Sequence, residues 1–150
     1  MKKLVLLIAG IVLSVSAFAQ SLTISDLCYW DSSNGTVETY SYEQIINRLA
    51  NRGFSVTVIE SSYDPDYGNY YLYSVYNSYS NTQLIIDVEG PGKIVFNSTS
   101  EANAFVNKAV SLGYFSWQNG KYYITYEPEF CGICAMRLSG NTVIFDLIVL

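Results

Sequence analysis

The sharpest chemical motif in this sequence is a pair of cysteines two residues apart, Cys131-Gly132-Ile133-Cys134. Cysteines at this spacing can cycle between thiol and disulfide when the first thiolate is stabilised at a helix N-terminus. Only 16 residues follow Cys134, and most of them have a strand-like pattern, so no such helix is predicted. A structural disulfide is therefore favoured, either within the motif or between Cys28 and one of its cysteines.

The residue types that common catalytic and metal sites need are scarce. The chain has no histidine, which excludes Ser-His-Asp and Cys-His sites within it. A zinc site at the cysteine pair would need two more soft ligands, and Cys28 is the only cysteine left. Segment 64–69 begins like a calcium loop but lacks the bidentate glutamate, so we interpret it as a polar turn. We predict no catalytic residue, no metal site and no cofactor.

Tyrosine is the outlier in composition, with 14 residues of this type in the chain. Half of them lie between positions 63 and 79, in a segment typical of a strand. On a two-residue period Tyr71 and Tyr73 share one face, whereas Tyr70 and Tyr76 share the other. The cluster either pairs aromatic rings across strands or forms a recognition surface. Our candidates for partner binding are Tyr67, Tyr70, Tyr71, Tyr73, Tyr76 and Tyr79.

An internal repeat organises the elements that carry these residues. Asn47-Arg48, Gly53-Phe54 and Asn81-Thr82 recur as Asn107-Lys108, Gly113-Tyr114 and Asn141-Thr142. The offset is constant, since 107 − 47, 113 − 53 and 141 − 81 all give 60. Self-similarity at a fixed spacing indicates a duplicated structural unit.

Each half contains one predicted amphipathic helix. In the first half, Ser41 and Gln44 form a capping box, and Gly53 is the expected stop. In the second half, the start signal is 98–101 and the stop is Gly113. The predicted inner faces are Ile45, Ile46, Leu49 and Ala50 in the first helix, and Ala102, Phe105, Val106, Ala109 and Val110 in the second.

Strands are predicted on both sides of each helix. They cover 22–30, 54–60, 70–75 and 84–89 in the first half, and 93–97, 114–117, 121–127 or 132–138, and 143–149 in the second. Asn119-Gly120 and Gly140-Asn141 are hairpin signals, and Gly90-Pro91-Gly92 reads as the linker between the halves. The predicted fold class is α+β, with tandem pseudo-duplicated β-α-β-β-β units that form an antiparallel sheet with two helices on one face.

The last strand breaks the strict repeat. At offset 60, Ile86 corresponds to Asp146, although the second half has a steadier apolar row at Val143 and Phe145. A shift of one residue exchanges the two faces of a strand. Either the halves differ in register or the last strand is buried on both sides.

The first nineteen residues have the pattern of a secretory signal peptide. Two lysines precede an apolar run, and Ala17-Phe18-Ala19 is a typical cleavage site. We expect export to the periplasm or the medium, with the mature halves at 20–90 and 91–150 sharing one core. Cleavage would remove two basic residues, so the mature net charge becomes 6 − 13 = −7. The scattered basic residues and this acidity argue against nucleic acid as a partner and against adsorption to anionic lipid.

In element order, the two halves resemble the duplicated helix-on-sheet modules of secreted β-lactamase inhibitory proteins and of TATA-binding-protein-like folds, whose curved sheet grips a partner. The resemblance extends only to element order. Our hypothesis is a non-enzymatic binding module that uses the tyrosine-rich sheet and loops to engage a protein or glycan partner. The alternatives are a thiol-disulfide redox protein centred on Cys131 and Cys134, and a structural envelope protein that self-associates.

Overall fold

One large antiparallel sheet with two helices on one face dominates the computed structural model of the chain. The structure describes residues 21–66, 68–87, 90–125 and 132–146. The predicted signal peptide, Tyr67 and Cys131 therefore lie outside the described residues. The α+β class and the antiparallel sheet are confirmed.

The helices are α1 (Tyr42–Asn51) and α2 (Thr99–Ser111), and a short 3₁₀ helix (Ile24–Asp26) precedes them. The strands are β1 (Cys28–Asp31), β2 (Thr36–Thr39), β3 (Ser55–Asp64), β4 (Gly68–Asn77), β5 (Thr82–Asp87), β6 (Gly90–Val95), β7 (Phe115–Gln118), β8 (Lys121–Ile124), β9 (Ala135–Ser139) and β10 (Thr142–Asp146).

Eight of these strands form the large sheet, in the order β3-β4-β5-β6-β10-β9-β8-β7. Strands β1 and β2 form a separate hairpin. Each helix is followed along the chain by four strands that pair with their sequence neighbours. The last strand of each set, β6 and β10, meet in the middle of the sheet.

Both helices start and stop where the sequence predicts. The amide of Gln44 donates to the Ser41 hydroxyl, and the amide of Ser41 donates to the Gln44 side chain. Gly53 and Gly113 have positive φ angles of 85° and 74°, as expected just after a helix end. Two inner-face predictions are wrong, because Ala50 and Val110 are exposed. Both residues lie in the last turn of their helix.

A single buried cluster joins the helices to the sheet. Its centre is a row of three fully buried side chains across the middle strands, in which Leu84 and Val143 lie on either side of Ile94. Ile45 of α1 and Phe105 of α2 belong to the same cluster. Both helices therefore cover the same face of the sheet, which we call the inner face. We call the opposite face the outer face.

The burial of the last strand follows from this row. Gln83 and Thr142 both lie opposite Val95, on the two sides of β6. Val143 and Phe145 are buried on the inner face, whereas Ile144 is half-buried on the outer one. Within Thr142–Asp146, the last strand is therefore fully buried on one face only.

Two predicted segments have a different structure. The segment 22–30 is divided between the 3₁₀ helix and β1, because the side chain of Asp26 caps the turn by accepting the amide of Thr23. Residues 90–92, expected to be a linker, instead begin β6, where Gly90 lies opposite Asp87. The hairpin strand β2 was not predicted. In the described part of the chain, no helix is both long enough and apolar enough to cross a membrane.

Candidate functional site

The outermost hairpin of the large sheet, β3–β4, carries most of the tyrosine cluster. Both strands have ten residues, and every residue of β3 is exposed. A bulge between Val58 and Glu60 shifts the register of the pair at Ile59. Val58 is 49% exposed and Ile59 is also exposed. A long strand whose apolar side chains face solvent is an unusual edge for a sheet.

The predicted tyrosines are divided between the two faces of β4. Tyr73 lies on the inner face, where it packs against the core and stacks on Tyr42 of α1 at 6.3 Å between ring centroids. Tyr71 follows it along the same face, with its ring 6.1 Å from that of Tyr73. Burial, together with the neighbouring Glu43 carboxylate, raises the pKa of Tyr42. Tyr73 and Tyr42 thus join the hairpin to the helix.

Tyr70 and Tyr76 lie on the outer face. The Tyr76 hydroxyl donates to the side chain of Asn81 at 2.8 Å, and the ring is 38% exposed. The Tyr70 hydroxyl donates to Asp87 at 3.2 Å and its side chain is half-buried. These bonds tie both hydroxyls to the neighbouring turn and strand, so the two rings are held in place.

Tyr79 stands at the tip of the turn between β4 and β5 and is 71% exposed. The buried side chain of Asn77 accepts the amides of Tyr79 and Ser80, which fixes this turn. Among the described candidate tyrosines, Tyr70 and Tyr76 thus lie opposite Ser62 and Ser55 of β3, and Tyr79 lies in the turn after β4. Their role in partner binding stays a prediction.

The rest of the outer face is mixed in chemistry. The amide group of Gln83 donates to Ser74 at 2.8 Å, next to the half-buried Ile85. Further along the sheet Lys121 forms an ion pair with Asp146, and this hydrogen bond raises the pKa of Lys121. The face therefore offers apolar, amide and charged groups in turn.

The cysteine motif cannot be assembled from the described residues. The thiol of Cys134 donates to the carbonyl of Asp146 at 3.0 Å, and Cys28 is buried in the core. Because Cys131 lies outside the described residues, the disulfide and the redox activity stay predictions. Gly132 packs directly against Thr39 of β2, where an added Cβ would come within 3.1 Å of the threonine side chain.

The acidic segments do not form a described metal site. The side chain of Asp64 accepts the amide of Asp66 at 2.8 Å, the bond expected of a polar turn. Across the residues that the structure covers, no three cysteine or carboxylate side chains cluster closely enough to hold a metal ion.

A second site was not predicted from the sequence. A cleft of about 240 Å³ lies on the solvent side of α1, and we call it the α1 cleft. It is lined by Tyr40, Gln44, Asn47, Arg48 and Asn51. The helical residues recur at positions 44, 47, 48 and 51, the spacing of one helix face. The missing signal was Tyr40, because only the fold brings its ring to the helix.

Comparisons of the chain with protein-family models, with curated proteins and with solved structures gave no match.

Proposed function

We propose that the chain is an exported, non-enzymatic binding module that holds a protein partner on the β3–β4 hairpin. The observation that carries this proposal is β3, a ten-residue strand whose residues are all exposed. The proposal of a non-enzymatic role rests on the sequence, which has no histidine. Fold class by itself does not determine function. The proposed binding function therefore rests on the chemistry of this hairpin.

The main chain of β3 supports pairing with another strand. Among the strands that the structure describes, β4 is its only neighbour. The outer edge of such a strand presents N–H and C=O groups to which an extended segment can add. Natural edges are usually protected by charges or by short length, yet β3 carries no charge from Ser55 to Ile59. The opposite edge strand, β7, has only four residues.

Side chains around this edge would supply specificity. Val58 and Ile59 offer apolar surface along the strand, and Tyr76 and Tyr79 offer rings beside it. Tyrosine is enriched at protein interfaces because a rigid ring provides contact area at a low entropy cost, while its hydroxyl tolerates water. A protein partner is favoured over a glycan here, because the edge recognises a main chain.

Export rests on the pattern of residues 1–19. Lysines, an apolar run and an Ala-x-Ala site follow each other in the order of a signal peptide. In an oxidising compartment the three cysteines could form one structural disulfide. Amino-terminal sequencing of the exported protein should begin at Gln20. A mature chain that still begins at Met1 would contradict export by this route.

We also propose that the two halves derive from one duplicated unit. The support is topological, since each helix precedes four antiparallel strands and the last strands meet side by side. The unit would then be α-β-β-β-β. This differs from the repeat in the sequence, because at offset 60 the residues of β3 fall on both β7 and β8. The longer β3–β4 hairpin would be the part that diverged after duplication.

A pair of matched variants tests the proposed interface. A photo-crosslinking amino acid in place of Tyr63, an exposed residue of β3, should capture one protein from the cell envelope or medium. Val58→Lys should weaken capture by about tenfold or more, because a charge on the edge opposes strand addition. Val110→Lys is the control, since Val110 is 40% exposed but lies on α2. Circular dichroism must show that both variants fold.

The tyrosine contribution has its own matched control. Tyr76→Ala should weaken capture, whereas Tyr123→Ala should not, although Tyr123 is 39% exposed and Tyr76 is 38% exposed. Equal capture by Val58→Lys and the unchanged chain would overturn the proposal. Crosslinks only to other copies of this chain would instead favour the self-associating structural protein, and sedimentation at several concentrations would show it.

A further inference from the structure

The α1 cleft contains a side chain poised for an anionic ligand, Arg48. Its guanidinium carbon lies 4.2 Å from the centre of the Tyr40 ring. One of its N–H groups donates to the carbonyl of Ser25 at 3.3 Å. Two contacts from two different segments therefore fix the guanidinium. A fixed guanidinium loses little further entropy when it binds a carboxylate with two parallel hydrogen bonds.

Arg48 differs from the neighbouring arginine in having no acidic partner among the residues that the structure describes. Arg52 is paired with the largely buried carboxylate of Asp26. In the described ranges no carboxylate lies within 4 Å of Arg48. Glu43, one turn back on α1, accepts the hydroxyl of Tyr42 and does not line the cleft. The positive charge of Arg48 is thus available to a ligand.

Amide side chains surround this charge. Gln44, Asn47 and Asn51 line the cleft with Arg48. The oxygen of Gln44 accepts the amide of Ser41 at 3.0 Å, which leaves the donors of its NH₂ group. Asn47 and Asn51 are exposed. Amides offer both donors and acceptors, which is the chemistry that pairs with neighbouring hydroxyl groups.

The Tyr40 ring forms one wall of the cleft. The guanidinium of Arg48 lies over one face of this ring, and the Tyr29 ring lies against the other face at 4.7 Å with a tilt of 31°. Tyr40 therefore borders the cleft with its ring edge. An aromatic edge beside hydrogen-bonding groups suits a ligand that combines apolar and polar surface. A sugar ring has this combination, with C–H groups on its faces and hydroxyls at its rim.

We propose that the α1 cleft binds an acidic saccharide, with Arg48 on the carboxylate, the amides on the hydroxyls and the edge of the Tyr40 ring beside the sugar. The ligand class is an oligosaccharide that contains a uronic acid. The size of the cleft, about 240 Å³, fits one sugar residue. This site shares no lining residue with β3–β4 and does not depend on the proposed protein partner.

Because the chain is acidic overall, long-range attraction cannot supply the affinity for an anion. Recognition must come from contacts inside the cleft. Binding should therefore depend on Arg48 and tolerate added salt better than binding to a broad basic surface would. This expectation separates a specific site from nonspecific adsorption of a polyanion.

Titration with tri-galacturonate, followed by two-dimensional NMR of the full mature chain, tests the proposal. The side-chain amide signals of Gln44, Asn47 and Asn51 should shift in a saturable manner. Arg48→Gln should raise the dissociation constant by about tenfold or more, since a charge-assisted bidentate pair is lost. Lys108→Gln is the matched control, because Lys108 occupies the corresponding exposed position of α2.

Neutral tri-galactose supplies the ligand control and should bind at least about tenfold more weakly than the acid. Equal binding of both sugars would overturn the assignment of the carboxylate to Arg48. The absence of amide shifts at ligand concentrations of about 10 mM, or equal affinity of Arg48→Gln and the unchanged chain, would overturn the site itself. Amide spectra of the free variants show whether each is folded, so a loss of binding cannot be confused with misfolding.

Discussion

Tyr73 and Tyr76 lie three residues apart in β4 and face opposite sides of the sheet. Tyr73 packs on the core and on Tyr42, whereas Tyr76 stands on the outer face with its hydroxyl held by Asn81. Two tyrosines of one strand therefore have different environments: one packs on the core and the other lies on the outer face. The sequence pattern separates the two faces, but it does not tell which of them the helices cover.

This division predicts different costs for the same substitution. Tyr73→Ala should lower the free energy of unfolding by about 2–3 kcal/mol, because it removes a ring packed against the core and α1. Tyr76→Ala should cost about 1 kcal/mol or less, since Tyr76 is 38% exposed and lies outside the buried core cluster. Urea denaturation of both variants measures the difference. Equal losses would mean that both rings contribute equally to the core.

Gly132 is the residue of the cysteine motif whose role the described structure explains. A Cβ at this position would lie 3.1–3.3 Å from three side-chain atoms of Thr39. Gly132→Ala should therefore lower stability by about 1 kcal/mol through overpacking. Gly92→Ala is the comparison, because its nearest contact would be an ordinary 3.8 Å to the Ile85 carbonyl. The melting temperature of Gly132→Ala should be lower than that of Gly92→Ala. The reverse order would contradict this explanation.

Lys121 should make the stability of the folded protein depend on pH in the alkaline range. Its hydrogen bond to Asp146 raises the pKa of Lys121, so the folded state holds this proton more tightly than the unfolded chain does. The resulting stabilisation is complete below the unfolded pKa of about 10.4 and is lost as the pH rises through the folded-state pKa.

Lys121→Met should therefore reduce the fall in the urea midpoint between about pH 8 and pH 11. Lys108→Met serves as the control, because no described carboxylate lies within 4 Å of Lys108. Parallel pH profiles for Lys121→Met and the unchanged chain would show that the ion pair does not contribute to stability.

At the scale of elements, local signals define the helices well. The capping box of Ser41 and Gln44, and the glycines after each helix, are features of short sequence windows and were found where they were predicted. The turn at Asn119-Gly120 likewise has the positive φ angles that its sequence requires. Strand β2 of the β1–β2 hairpin was missed, and it has only four residues.

The capping box allows a quantitative test. Ser41→Ala should destabilise the protein by about 1 kcal/mol, since the amide of Gln44 loses its acceptor at the start of α1. Gln44→Ala removes the reciprocal bond. Because the two bonds share one turn, the double variant should cost less than the sum of the single variants. Additive losses would show that the two bonds act independently.

On the scale of the whole molecule, both halves contribute to one core. The row of Leu84, Ile94 and Val143 crosses from the first half to the second without a gap. The 3₁₀ helix contacts both α1 and α2. An interior shared in this way leaves neither half with a complete core of its own, so the two should unfold together.

The two tryptophans can test this cooperativity. Trp30 lies in β1 and Trp117 lies in β7, one in each half, and the chain contains no others. The variants Trp30→Phe and Trp117→Phe each leave one fluorescent reporter. After correction for the effect of each substitution on stability by circular dichroism, the fluorescence and circular dichroism midpoints in urea should coincide within each variant. Separate transitions would mean that the halves fold independently.

The sequence by itself determined the helices, their caps, most turns and the α+β class, because these depend on contacts between residues close in the chain. It did not determine which face of β4 is buried, whether β10 is buried on one face or on both, or the pairing of Gly90–Val95 as a central strand. Nor did it predict that Tyr40 and Arg48 would meet. Each of these depends on which distant segments pack together, so only the tertiary structure decides them.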